Sequence, residues 1–415
     1  MRPWYKNLDW ITVLLWAGLV CVGLTAIYSA THGPAREFLK DTVQQNFTRQ
    51  LEWFGVSAVV MLAVLLMPAR FIVRMAPVAY LFCVGLLVAA ILFGREVNGA
   101  KAWVWGLQPG EIGKVGTVLA VTALLSTKEA RQGSWLRLVG AAVLLLIPVG
   151  LLLAANDTGT ALVYLALVPV MLFWSGAVPL PVMALLAAPA VAVYLVIGSP
   201  GLAALFAVAA TAGFFVWTRS KGMGAAMFAA TAGVAVAAHT ALFRVLQPHQ
   251  IDRIVAFNDP ESFRYGAGFH IIQAKAAIGS GGLFGKGFTN GTQTQLAYIP
   301  ENSTDFIFCV IGEEFGFLGT MTLLVLFGVL LVRVASLGAQ AGFALPRLFV
   351  AGVTGIFLVH ILINVGMTIG LMPVIGIPLP FISYGGSALL ANTTMLAVAL
   401  NLHARRDEFA VYTSQ

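Results

Sequence analysis

The chain has 415 residues, 59% of them hydrophobic and only 10% charged, whereas a soluble globular domain carries about 25% charged residues. No water-soluble core of this size hides that much apolar surface, so composition excludes the soluble classes and points to the membrane. The net charge of +7 does not imply a nucleic-acid partner, because most Lys and Arg sit in short loops between apolar runs, where basic residues set orientation.

In chain order, the basic Met1 to Lys6 stretch precedes an apolar run, Trp10 to Ala30, that is too long for a cleaved leader and is expected to be a retained first span. At about 20 apolar residues per crossing, further spans are expected at 51–67, 76–94, 111–126, 137–155, 160–174, 178–197, 201–217, 223–243, 306–332, 348–368 and 386–403. The fold class is therefore an all-α polytopic membrane protein of about twelve transmembrane helices. Alternate loops carry Arg2/Lys6, Arg70/Arg74, Lys128/Arg131/Arg137, Arg219/Lys221, Arg333/Arg347 and Arg405/Arg406. The positive-inside rule makes those loops, and both termini, cytoplasmic. The opposite face holds 31–50, 95–110 and a large extracytoplasmic segment, 244–305. Cys21, Cys83 and Cys309 lie in apolar runs without ligand spacing and read as packing residues.

Ionisable groups in or beside spans are the functional candidates. Glu111 and Lys114 open a span three residues apart on one helix face, either as a helix-start ion pair or as a cavity lining. Asp157 stands in a polar break between two spans, where an N-cap explains it well. Asp305 ends the long outer segment and opens the next span; it is a cap, or a general base at the membrane mouth. Glu313 and Glu314 lie deeper in that span and read as structural, needing polar partners. Arg253, Lys275 and Lys286 share the outer segment with His270 and Gln273. The glycines of 279–282 and 285–287 interleave with them, as turns or as a pyrophosphate cradle. Two prolines and two glycines in 378–387 forbid a regular helix, so a re-entrant or packed outer loop is expected beside Asp305, with Asn364 on the neighbouring span.

Several of these stretches carry a family resemblance. Gly-Ala-Gly-Phe-His-Ile-Ile-Gln-Ala-Lys (266–275), Ala-Ile-Gly-Ser-Gly-Gly (277–282), Gly-Lys-Gly-Phe (285–288), Gly-Thr-Gln-Thr-Gln-Leu (291–296), Thr-Asp-Phe-Ile-Phe (304–308), Gly-Glu-Glu-Phe-Gly (312–316) and Pro-Leu-Pro-Phe-Ile-Ser-Tyr-Gly-Gly-Ser (378–387) resemble the SEDS family of shape, elongation, division and sporulation proteins, closer to its elongation branch. The resemblance runs from the first span to the last as a single domain, 1–415. It implies about ten spans, which leaves 178–243 with an extra helical hairpin.

The resemblance further implies a peptidoglycan glycosyltransferase of the cytoplasmic (inner) membrane that polymerises lipid II on the outer face for cell elongation. Its implied partners are a class B penicillin-binding protein and the membrane proteins of the elongation complex. The family's essential acid falls on Asp305, its Glu and Lys on Glu111 and Lys114, its Asp after the fifth span on Asp157, and its Arg on Arg253. Arg253, Lys275, Lys286, Gln293 and His270 are then expected to bind substrate or its pyrophosphate; Glu111, Lys114, Asp157, Asn364 and Ser383 to line or shape the cavity. No cofactor is required by the sequence, a divalent cation is admissible, and no metal ligand is assigned. Ala297 stands where related sequences often have an acid, and Phe263-Arg264 where a second Asp-Pro is common. Buried charge and broken helices would equally suit a transporter of the lipid-linked precursor, and a scaffold for the penicillin-binding protein is the third reading.

Overall fold

The structure is a computed structural model that describes residues 4–33, 39, 41–97, 99–127, 134–176, 200–244, 251, 253, 255–257, 259–263, 267–296, 298–299, 301–406 and 408. The chain divides into two compact units, Met1–Ser175 with Gln273–Gln415, and Gly176–Ile272.

The first unit contains α1 (Trp10–His32), α2 (Asn46–Leu66), α3 (Ala76–Phe93), a hairpin of β1 (Arg95–Val97) and β2 (Ala100–Trp103), α4 (Pro109–Leu125), α5 (Trp135–Ala154) and α6 (Thr158–Ser175). The second holds α7 (Pro200–Thr218) and α8 (Lys221–Arg244), which pack on each other. The chain returns to the first unit through α9 (Ala267–Ser280) and continues with α10 (Ile307–Ala339), α11 (Ala344–Thr368) and α12 (Gly386–Ala404).

Nine of the described helices are long and apolar enough to cross a membrane: α1, α2, α3, α5, α6, α7, α10, α11 and α12. This multi-pass count is lower than the twelve expected from the sequence, and the three differences have separate reasons. The 111–126 run forms α4, which has only 17 residues and buries a charged pair rather than a continuous apolar stretch. The 223–243 run forms α8, whose apolar described part is the shorter Lys221–Val236. The 178–197 run lies outside the described residues. Residues 95–97 and 100–103, expected only as loop, pair as an antiparallel β-hairpin, and the Lys101 N–H bonds the Ala155 carbonyl at 2.9 Å to hold it over the α5–α6 turn.

Layering follows from burial. Helices α11 and α12 are buried nearly all round, whereas α2, α3 and α5 bury one stripe and turn Leu62, Leu81, Leu92 and Leu146 outward, as lipid-facing helices do. The core runs from Trp16 and Leu19 on α1 through Phe327 and Leu330 on α10 to Phe357 on α11 and Met395 on α12. On the side of the basic loops, the Asn401 amide satisfies the carbonyls at the C-terminal end of α2, bonding Val64 and Met67 at 2.8 Å. Arg333 pairs there with Asp9.

Helix α10 is not continuous. Gly316 leaves the helical region at φ 65°, and the 282–287 turn docks into the break. The Lys286 and Gly287 N–H groups bond the carbonyls of Glu313 and Glu314 at 3.0 Å each, and the Phe317 and Leu318 N–H groups bond Gly282 and Leu283 at 2.9 and 3.1 Å. Backbone groups freed by a break in a membrane helix must be satisfied by neighbouring protein. Gly285 (φ 81°) is needed at this contact, since a Cβ there would overlap the Glu314 carbonyl.

Candidate active site

Asp305 lies one residue before Phe306, the N-cap residue of α10, so the helix start itself is not its role. It is half-buried. One carboxylate oxygen, Oδ2, faces the chain at Gly376, where a Cβ would come within 3.1 Å of it. Residues 373–379 are irregular and non-helical between α11 and α12, with Gly376 at φ 79°. They are held in place by polar bonds rather than by a regular element.

Asn364 supplies two of those bonds: its Nδ2 donates to the Asp305 carbonyl at 2.9 Å and to the Ile377 carbonyl at 2.8 Å. The Ser383 hydroxyl donates to the Thr304 carbonyl at 2.6 Å and accepts the Leu379 N–H at 2.8 Å. The Tyr384 N–H bonds the Ser303 carbonyl at 2.9 Å. Gln50 on α2 fastens the far end, its Nε2 donating to the Ser383 carbonyl at 3.2 Å and its Oε1 accepting the Gly385 N–H at 3.1 Å. The loop is therefore clamped to Ser303 and Thr304, the two residues preceding Asp305, and with the Asn364 bond to the Asp305 carbonyl this pins the backbone that carries the carboxylate.

Beneath this loop lies a fully buried polar group. Lys114 Nζ on α4 is 2.7 Å from Glu111 Oε2, and both side chains are essentially inaccessible. Lys114 Nζ is also 2.9 Å from His360 Nε2 on α11, and His360 Nδ1 is 3.0 Å from the Pro378 carbonyl. Asp157 caps α6, accepting the Thr160 N–H at 3.0 Å and its hydroxyl at 2.9 Å. Burial pushes the Asp157 carboxyl above its ordinary value, against the pull of those bonds. Helix α5 ends before it in a Schellman turn, with Asn156 at φ 60° and the Asp157 N–H on the Leu152 carbonyl.

The expected pyrophosphate residues separate. Lys286 Nζ is 2.7 Å from Glu313 Oε1, and Glu313 is completely buried. That carboxylate also accepts the Gln293 N–H and the Thr294 N–H at 2.9 Å each, and the Thr294 hydroxyl at 2.8 Å. The 291–295 turn and Lys286 thus form a socket for Glu313, and the interleaved glycines serve the break in α10. Glu314 faces the other way, accepting from Ser29 on α1 at 2.5 Å and from Gln295 at 2.7 Å. Lys275 is different: it is exposed, its side chain lies over Gly370 at the start of the 369–385 connection, and no carboxylate of the described residues is within ion-pair distance of it. Its helix packs through Ala274 and Ala277 on Phe306 and Val374, next to Asp305. Arg253 and His270 belong to the second unit. Among the described residues no group of three or more His, Cys, Asp or Glu side chains is placed to hold a metal ion. Sequence reasoning left His360 without a role; four residues before Asn364, it shares a helix face with a residue that was singled out.

A bundle of apolar helices with one clamped acid at the mouth, a buried acid–base pair below it and a broken helix beside it defines a polytopic membrane protein with an interior polar site. The profile of the FtsW/RodA/SpoVE cell cycle proteins matches residues 8–197 and 180–408. The chain belongs to that family, the SEDS proteins. It is 31% identical over 448 aligned positions to the peptidoglycan glycosyltransferase RodA of Treponema pallidum, covering 97% of this chain and 98% of the relative. It is 32% identical over 362 positions to the peptidoglycan glycosyltransferase MrdB of Escherichia coli K12, covering 86% and 85%. Among solved structures it resembles the rod shape determining protein RodA of Thermus thermophilus, with TM-score 0.62, 27% identity and coverage of 96% and 97%. It also resembles a chain of a peptidoglycan synthase complex that coordinates polymerization and crosslinking, with TM-score 0.69, 27% identity and coverage of 96% and 98%.

Proposed function

We propose that this chain polymerises lipid II into glycan strands on the outer face of the cytoplasmic membrane. It is a peptidoglycan glycosyltransferase of the RodA/MrdB type, and the observation that carries the finer reading is the half-buried Asp305 on a pinned backbone at the end of the outer segment, its carboxylate facing Gly376. In this reading Asp305 removes the proton from the 4-hydroxyl of the acceptor GlcNAc. The freed oxygen attacks the anomeric carbon of the donor MurNAc from the face opposite the leaving group. The anomeric C–O bond breaks, undecaprenyl pyrophosphate departs with the electron pair, and the new linkage is inverted. A positioned base contributes about 10²–10⁴-fold, and a good leaving group lets one carboxylate suffice, unlike the paired acids of glycosidases.

Lys275, exposed and unclaimed by a carboxylate of the described residues, is the cation best placed to meet the departing diphosphate. Lys286 contributes by ordering the Glu313 socket, and Arg253 and His270 are proposed to act on substrate from the outer segment. About twelve crossings are proposed, the nine long apolar helices together with α4, α8 and the 178–197 run, with both termini in the cytoplasm, and a class B penicillin-binding protein cross-links the product. The similarity to a chain of a synthase complex supports that pairing. The test is lipid II polymerisation by purified wild type and Asp305→Asn, each with and without chelator. Strand formation lost in the variant supports the reading; precursor flipping in vesicles without polymer in the wild type would favour transport instead.

A further inference from the structure

We infer that His360 is a positioning residue for the Asp305 site, locked in one tautomer by Lys114. The inference rests on the reading of Asp305 as the base. Its logic is hydrogen-bond polarity. The Pro378 carbonyl can only accept, so His360 Nδ1, 3.0 Å away, carries the ring proton. An ammonium can only donate, so His360 Nε2, 2.9 Å from Lys114 Nζ, presents its lone pair. Glu111, 2.7 Å from Lys114, neutralises the ammonium in a site without water access. The imidazole is 1% exposed, so no solvent competes for either nitrogen.

One end of this chain of contacts is the ion pair on α4; the other is the loop that faces Asp305. His360 and Asn364 are one turn apart on α11 and hold consecutive carbonyls, Pro378 and Ile377. Gly376, immediately before Ile377, faces Asp305 Oδ2. A side chain that both accepts from Lys114 and donates to Pro378 therefore sets how deep the loop sits against the carboxylate. Without it, Lys114 loses an acceptor and the loop an anchor, and the base shifts while the outer surface that meets the substrate stays as it was. Misplacement of about 1 Å in a catalytic group costs roughly 10²-fold.

The experiment compares wild type, His360→Gln and His360→Phe in nanodiscs, reading kcat and KM for lipid II and the thermal midpoint of each. Gln can accept from Lys114 and donate to Pro378 with one amide; Phe can do neither. The expected result is turnover within about threefold of wild type for His360→Gln and a loss of about 10–100-fold in kcat, at unchanged KM, for His360→Phe. Wild-type turnover in His360→Phe, or a loss confined to KM, overturns the inference. A second measurement is independent of activity and of that variant's folding: ¹⁵N-histidine NMR of wild type, with His360 assigned by its absence in His360→Gln. A ring proton on Nδ1 is expected, and a proton on Nε2 overturns the inference. A wild type that fails to polymerise, or full activity in Asp305→Asn, would instead sink the functional reading and leave the tautomer result standing.

Discussion

Lys286 Nζ and Glu313 Oε1 lie 2.7 Å apart, one turn before the break in α10 at Gly316. The lysine that the sequence offered to a diphosphate is thereby bound to a buried carboxylate that also collects two backbone N–H groups and the hydroxyl of Thr294. The two partners are not equivalent. Removing Glu313 leaves buried N–H groups without acceptors, each costing about 1–3 kcal/mol. Removing Lys286, which is a quarter exposed, leaves the carboxylate its other donors. Glu313→Leu is expected to lose at least about 2 kcal/mol more stability than Lys286→Met, read as thermal midpoints in one detergent. Equal losses would remove the socket as an organising element.

The glycine-rich turn makes a second prediction. Gly285→Ala places a Cβ on the Glu314 carbonyl at φ 81°, whereas Gly279 in α9 has open space around it. Gly285→Ala is expected to cost about 2 kcal/mol or more, and Gly279→Ala to leave stability unchanged or raised by up to about 1 kcal/mol. Limited proteolysis or thermal shift distinguishes them, and similar behaviour of the two would contradict the docking of this turn into α10.

Lys275 carries a prediction about substrate. If it meets the departing diphosphate, Lys275→Gln loses a charge-assisted contact of about 1.5–3 kcal/mol, or roughly 10–100-fold in kcat/KM on lipid II. Its exposure means that the thermal midpoint stays constant. A variant with full kcat/KM would take Lys275 out of the site.

At the opposite face, Asp9 ties the start of α1 to Arg333 on α10. Burial raises the Asp9 carboxyl, but the hydrogen bonds from Thr12 and Arg333 and the Arg333 charge outweigh it, so its folded value lies below the ordinary 3.8. A depressed carboxyl contributes stability that is complete above its unfolded value and is lost as pH falls through the folded one. The wild type is expected to lose stability below about pH 4, and Asp9→Asn to lack that component of the acid transition. A midpoint-against-pH curve for both proteins tests it; parallel curves would count against the pairing.

How much was legible in advance depends on the kind of signal. Apolar runs located the long helices, because about 20 apolar residues have one stable solution in lipid. The non-helical stretch beside Asp305, which runs over 378–385 before α12 begins at Gly386, was readable for a similar reason, since prolines and glycines forbid its alternatives. Long-range polarity was not: the stretches bearing Lys286, Thr294 and Glu313 are separate in sequence, and nothing local says that they meet. His360 was invisible as a lone histidine in an apolar run, whose role depends on an α4 lysine 246 positions away. The hairpin of 95–97 with 100–103 has one local signal, the turn dipeptide Asn98-Gly99, set against flanks in which only Val97 and Trp103 favour a strand.

The central claim is that Asp305 is the base for glycan polymerisation, on a backbone pinned by Asn364 and Ser383 and with its carboxylate facing the 373–385 loop at Gly376. The most direct measurement is the rate of lipid II polymerisation by purified Asp305→Asn beside wild type, together with lipid II binding by both. The account predicts binding within about threefold and a loss of turnover of about 10²-fold or more. Polymerisation by the variant at the wild-type rate would contradict it.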